Sequence, residues 1–216
     1  MKRIAFYGGS FDPVHVGHLT IAREVINRFS LDEFVFIPAF HAPHKLDRKP
    51  TSAFHRFAML CLATSANDYI KVSKIEIELP EKPYTVETLP RLMSEFANDE
   101  IFFVMGADSW KDILTWREWE KVLLMTNHIV VTRPGYKIDF SHVTDAVSDR
   151  VVDLRGKNTP YPSEAPNGQH IYITDAVNIE ISATEIRHSI RECLPNWRDE
   201  LSDEVAKYIE KYQIYK

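Results

Sequence analysis

The stretch Gly8-Gly9-Ser10-Phe11-Asp12-Pro13-Val14-His15-Val16-Gly17-His18 decides how this chain is read. The residues before it, Ile4-Ala5-Phe6-Tyr7, are a short apolar run suited to a buried β-strand, and those after it, Leu19 to Phe29, repeat apolar side chains at helical spacing. Two glycines, a serine, a turn-forming Asp-Pro pair and two histidines three apart therefore share one strand-to-helix turn. In an open α/β sheet, ligands bind outside the carboxyl ends of the strands. Glycine lets a phosphate approach the backbone closely, and a helix N-terminus offers N–H groups and a positive dipole end. Histidine adds donors that can carry charge near neutral pH. The stretch reads as a phosphate-handling turn.

Working outward, strands and helices alternate. Glu33 to Pro38 forms a second strand, and the loop after it, Ala39 to Pro50, is rich in His, Lys and Pro, suiting either an anion or a solvated surface. Thr51 or Ser52 caps a helix carrying Phe54, Phe57 and Leu60. Ile70 to Leu79 reads as a half-exposed strand, alternating at Ile75, Ile77 and Leu79. A helix opens at Val86, with Pro90 assigned to its first turn. Ile101 to Met105 is the most hydrophobic strand, and Gly106-Ala107-Asp108-Ser109 after it repeats the layout of the opening turn. His128 to Thr132 is a further strand, residues 136–168 show little regular pattern, and Gln169–Ile173 and Val177–Ile181 are extended. Ser182 begins a helix reaching about Leu194, with Glu185 completing a capping box, and Ser202 caps a last helix over Asp203–Tyr212. The expected fold is α/β, a Rossmann-like open parallel sheet with helices on both faces. It forms a single domain over residues 1–216, with the C-terminal helical part from about 182 packed on it.

The 216 residues suit one such domain, and a formal charge of −5 disfavours a broad nucleic-acid surface. No signal peptide or membrane-length apolar run is evident, which predicts a soluble, cytoplasmic protein without membrane contact. Cys61 and Cys193 fall in apolar helical patterns and read as buried free thiols. The opening turn lacks both the Gly-Lys-Ser/Thr of a P-loop and the Gly-x-Gly-x-x-Gly of a dinucleotide fold. His15 and His18 have no third ligand at matching spacing, so phosphate donation is preferred to a metal site.

The turn, ending His15-x-Gly17-His18-Leu19, resembles the signature of the nucleotidyltransferase superfamily with a His-x-Gly-His motif. Further matches resemble the bacterial nicotinate-mononucleotide adenylyltransferases: Pro43-His44-Lys45, Arg56-x-x-Met59, Tyr84-Thr85-x-x-Thr88-Leu89, Phe103-Val104-Met105-Gly106-x-Asp108-Ser109 with Trp116, and Ile181-Ser182-x-Thr184-x-Ile186-Arg187. They occur in the family's order over about residues 4 to 190. The resemblance implies transfer of AMP from ATP to nicotinate mononucleotide with Mg²⁺, giving deamido-NAD and pyrophosphate in NAD biosynthesis. It implies His15, His18, Lys45 and Arg187 as catalytic residues. ATP would be bound by Gly8, Gly9, Ser10, Phe11, Gly17, His18, Gly106, Asp108, Ile181, Ser182, Thr184 and Arg187. The mononucleotide would be bound by His44, Lys45, Tyr84, Thr85, Asp108 and Trp116. Two positions depart from the family pattern, Ala42 where proline is common and Ala183 where a second serine is common; neither removes a charge. Nicotinamide mononucleotide as acceptor, and a non-catalytic nucleotide-binding module, are the competing readings. A homo-oligomer is compatible with all of them.

Overall fold

The computed structural model describes residues 1–40, 51–79, 83–132, 138–157, 161, 168–175, 177 and 181–216. Seven strands, β1 (Arg3–Gly9), β2 (Glu33–Pro38), β3 (Ile70–Val72), β4 (Glu100–Gly106), β5 (Asn127–Val131), β6 (Val151–Asp153) and β7 (Ile171–Thr174), form one sheet in the order β3-β2-β1-β4-β5-β7-β6. Every neighbouring pair is parallel. The helices are α1 (Val16–Phe29), α2 (Ala53–Thr64), α3 (Thr85–Glu95), α4 (Ala107–Lys111), α5 (Trp119–Met125), α6 (Asp145–Ser148), α7 (Ala183–Arg191) and α8 (Asp203–Tyr212). Among the described residues, no helix is long and apolar enough to cross a membrane.

Strand alternation divides the core into two. Ala5 and Tyr7 of β1, Phe34 and Phe36 of β2, and Phe102 and Val104 of β4 face one side, where Ile21, Val25, Met59, Leu60, Ile186, Ile190, Val205 and Ile209 cover them. Ile4 and Phe6, Val35 and Ile37, and Ile101, Phe103 and Met105 face the other, under Leu89, Leu92, Trp110, Val122 and Leu123. A strand buried on both faces must be apolar throughout, which is why these segments read as continuous hydrophobic runs. The strand order reverses direction at β1 and β4, so their carboxyl ends open a crevice at the topological switch point.

Several local expectations are corrected. The strand expected over Ile70–Leu79 ends at Val72. The chain then turns, with the Ile77 and Glu78 amides donating to the Lys74 carbonyl, and Ile77 is buried by that turn. The alternation was a packed turn, not a pleat. Pro90 lies in the second turn of α3, which starts at Thr85; its ring withholds the N–H that would bond the Val86 carbonyl. Residues 136–168 contribute the short α6 and the edge strand β6. Cys193 is exposed and Cys61 half-buried, so neither is a core thiol. The expected strand Val177–Ile181 falls largely outside the described residues.

One buried side chain ties the crevice wall together. Arg56, on α2, is 1% exposed. Its Nε donates to the Thr51 carbonyl (3.0 Å), Nη1 to Ser10 (2.7 Å), and Nη2 to Ala39 (2.6 Å) and Phe40 (3.2 Å). These oxygens belong to chain leaving β1, chain leaving β2 and the entry to α2, where no sheet ladder satisfies them. Burial lowers the guanidinium pKa, and the charge of Asp12 opposes that shift. Arg56→Met removes the donors and leaves buried carbonyls without partners. Urea unfolding should show a loss of about 3 kcal/mol, and a stability equal to wild type would contradict this account.

Candidate active site

The crevice at the ends of β1 and β4 is lined by the opening turn (Gly8 to Asp12), His15, His18, Glu76, Tyr84, Thr85, Gly106, Asp108, Trp116, Ile181, Ser182, Thr184 and Arg187, among others. Most of the residues expected at the site therefore share one cleft. Gly17 is buried in the first turn of α1 and does not line it. His44 and Lys45 lie outside the described residues.

Besides the five-residue α4, which starts at Gly106, three helices present their N-termini to this cleft: α1 through His15 and His18, α3 through Tyr84 and Thr85, and α7 through Ser182 to Thr184. Helix starts offer unpaired N–H groups and partial positive charge, so the convergence favours anions. The first turn of α1 holds no acidic residue that would spend this field. His15 and His18 stack with ring centroids 3.7 Å apart. The His15 amide donates to His18 Nδ1 at 3.3 Å, which requires Nδ1 to be unprotonated and puts the ring proton on Nε2. His18 thus has its tautomer set by the backbone of the turn it serves.

The glycines leave the room this geometry needs. A Cβ on Gly9 would lie 2.8 Å from the Phe11 ring, and one on Gly106 would lie 2.7 Å from Asp108 Oδ1. Phe11, at φ +48°, occupies the left-handed region that non-glycine residues rarely adopt. Its ring is 3% exposed and lies edge-on to His18, 5.0 Å between centroids, so it braces the histidine more than it faces a ligand.

On the α7 side, Arg187 donates from Nη1 to the Asp12 carbonyl (2.6 Å) and from Nη2 to Thr184 Oγ1 (3.1 Å). This ties the start of α7 to the opening turn. Ser182 stands at the N-cap position of α7, yet its hydroxyl makes no capping bond and the expected box with Glu185 does not form. Ser202 of α8, by contrast, accepts from the Val205 amide at 3.4 Å. On the opposite face of the sheet from α7, Trp116 stands edge-on to Phe103 at 6.5 Å, and the Arg117 guanidinium lies 5.0 Å from the Tyr84 ring centroid. Aromatic rings, one guanidinium and the start of α3 thus line that part of the cleft.

Glu76 was not foreseen, because the alternating pattern around it read as a solvent-facing strand position. It lines the cleft and accepts from Thr88 Oγ1 at 2.9 Å. Burial pushes its pKa up to about 7, against the opposing effects of Thr88, the Phe40 amide and Arg56. Asp12, quoted only as a turn former, is the second unforeseen group; its carboxylate takes bonds from the Thr51 amide and the Tyr215 hydroxyl. Among the described residues, no cluster of three or more His, Cys, Asp or Glu is arranged to hold a metal ion.

A parallel sheet with its cleft at the switch point is a layout shared by many nucleotide-binding proteins; the chain belongs to the cytidylyltransferase-like family, whose model matches residues 6–189. Within it the chain groups with the nicotinate-nucleotide adenylyltransferases. A protein of Desulfitobacterium hafniense (strain Y51), named "Probable nicotinate-nucleotide adenylyltransferase", is 35% identical over 215 residues, covering 100% of this chain and 96% of its own length. One of the same name from Corynebacterium glutamicum is 33% identical, covering 99% of this chain and 88% of its own. The fold is similar to that of Plasmodium falciparum nicotinic acid mononucleotide adenylyltransferase complexed with NaAD. That structure has a TM-score of 0.75 at 22% identity, covering 100% of this chain and 98% of its own. A structure of the same enzyme complexed with APC gives 0.74 at 21% identity.

Ser182→Ala should leave the thermal transition unchanged and raise the KM for a phosphate-bearing substrate, whereas Ser202→Ala should cost about 1 kcal/mol of stability and leave turnover alone. The reverse pattern in melting and steady-state assays would contradict the distinction. For Glu76, the folded state retains a proton that the unfolded chain releases between its ordinary range and about pH 7. Bound protons are then more numerous in the folded state, so its contribution to stability falls as pH rises through that window. In urea unfolding between about pH 5 and pH 8, wild type should lose stability relative to Glu76→Gln; parallel profiles would refute the burial effect.

Proposed function

We propose that this chain catalyses adenylyl transfer from ATP to nicotinate mononucleotide, yielding deamido-NAD and pyrophosphate, a step of NAD biosynthesis. The observation that carries the reading is the meeting of three helix N-termini with His15, His18 and Arg187 in one cleft that Tyr84, Thr85 and Trp116 line from the other sheet face. One side suits a polyphosphate; the other suits a flat ring bearing a carboxylate.

In the reaction, a phosphate oxygen of the mononucleotide forms a bond to the α-phosphorus of ATP. The bond from that phosphorus to the α–β bridging oxygen breaks, and pyrophosphate departs with the electron pair. No side chain need become covalently attached. The protein's work is to hold two anions in line and to neutralise charge growing on the oxygens. Gly8, Gly9 and Ser10 let the nucleotide lie against the backbone, and the Nε2–H of His18, with His15 beside it, donates to the α-phosphate region. Ser182, Thr184 and Arg187 hold the departing pyrophosphate, with Ile181 flanking them. Asp108, given room by Gly106, accepts from ribose hydroxyls. Lys45 and His44, from their place in the motif, supply positive charge to the transferring phosphoryl and the acceptor. Mg²⁺ bound with ATP would supply further neutralisation of the triphosphate beside these residues.

Trp116 stacks on the pyridine ring, and the backbone around Thr85 at the α3 start donates to the nicotinate carboxylate, the Tyr84 amide being already bonded to Glu87. A carboxamide would leave some of those donors unmatched, which is the basis for selecting acid over amide. The proposed setting is the cytoplasm, with small-molecule substrates only. In a pyrophosphate-release assay, turnover should require ATP, nicotinate mononucleotide and Mg²⁺ together. His18→Ala should keep its fold by circular dichroism while kcat falls by about 10²–10³. Turnover of the variant at the wild-type rate would refute the role given to His18.

A further inference from the structure

The C-terminal end of the described chain reaches the opening turn. After α8, Gln213 (φ 54°) and Tyr215 (φ 72°) both adopt left-handed backbone, and Ile214 between them is buried in the core beneath α7 and α8. Two uncommon backbone conformations within three residues reverse the chain and deliver the Tyr215 side chain to Asp12. Its hydroxyl donates to Asp12 Oδ1 at 2.6 Å. Burial foremost, and the neighbouring Asp12 charge, raise the Tyr215 pKa, so the phenol stays a neutral donor.

Asp12 is an odd residue to find in this place. It is a carboxylate on the wall of a cleft built for polyphosphate, and an anion facing that ligand would repel it. Both its oxygens are instead drawn off, Oδ1 by Tyr215 and Oδ2 by the Thr51 amide at 3.2 Å. Its carbonyl receives Arg187 Nη1 at 2.6 Å. With Oδ1 released, the carboxylate becomes a competitor for the same guanidinium, a stronger partner for it than the carbonyl.

We propose that Tyr215 is a positioning residue for the polyphosphate of ATP. It holds the Asp12 carboxylate away from Arg187, so that the guanidinium, indexed on the Asp12 carbonyl, keeps its outward donors for the substrate. The inference rests on the reading that ATP occupies this cleft. It adds to that reading a residue far from every motif, acting through Asp12 rather than on the nucleotide.

Tyr215→Phe deletes the hydroxyl and keeps the ring. Calorimetry with α,β-methylene-ATP should show Kd raised about tenfold, equivalent to about 1.4 kcal/mol. The KM for ATP should rise with it, while the KM for nicotinate mononucleotide and the melting temperature stay at wild-type values. In an Arg187→Ala background the same change should have no further effect on analogue binding, because the route through Asp12 and Arg187 is already cut. Unchanged analogue binding in Tyr215→Phe, an equal loss for both substrates, or a fully additive loss in the double variant would each overturn the proposal. Failure of the wild-type protein to bind the analogue would instead overturn the assignment of the cleft to ATP.

Discussion

The cleft depends on a buried guanidinium. Parallel strands must send their chains away at the carboxyl edge of the sheet, and the carbonyls there have left the ladder that would satisfy them. Arg56 gathers those of Ser10, Ala39, Phe40 and Thr51 onto one planar group. A lysine, with a compact charge and no fork, could not span them. Because the β1–α1 turn is held from below in this way, its upper side is free to be shaped for a ligand. The structural demand and the functional one fall on opposite faces of the same few residues.

What the upper side offers is positive field at low conformational cost. The starts of α1, α3 and α7 supply backbone donors that need no side-chain ordering, and His15, His18 and Arg187 add charge-capable groups whose orientations are already set by protein bonds. Donors fixed before the substrate arrives need not reorganise as charge moves, which is where a phosphoryl-transfer enzyme gains most. Two of the acidic residues at the cleft are kept under control. Asp12 is doubly hydrogen-bonded, and Glu76 is buried enough to hold a proton up to about pH 7. Each departs from the simple rule that an anion site excludes acids, and each has a partner that makes the exception tolerable.

Much of this was legible in the chain because it is local. The opening turn, the Gly106–Asp108 repeat of it, the alternating strands and helices, and the Asp203–Tyr212 helix are patterns within a dozen residues. Errors arose where local pattern and tertiary packing disagree. Ile75 and Ile77 alternate like a strand, yet a turn buries Ile77 and leaves β3 only three residues long. Ser182 and Glu185 have capping-box spacing, yet the hydroxyl is not used to cap. Cys193 occupies an apolar pattern but sits just beyond the end of α7 at φ 53°, out in solvent. β6 escaped notice because a three-residue edge strand carries too little periodicity to detect. The groups that complete the site were illegible for a different reason. Asp12, Glu76 and Tyr215 act through partners between 12 and 203 positions away in sequence, and Arg56, although part of a quoted motif, reaches as far as Ser10, 46 positions away; no short window along the chain brings those partners together.

The account's central claim is that this cleft reads an anionic ring substituent on one side while holding ATP on the other. The most direct measurement is kcat/KM for nicotinate mononucleotide and for nicotinamide mononucleotide, determined side by side with saturating ATP and Mg²⁺. The account predicts efficient pyrophosphate release with the acid and a large loss with the amide. Equal efficiency with both would contradict the reading of the ring site, and turnover with neither would contradict adenylyl transfer itself.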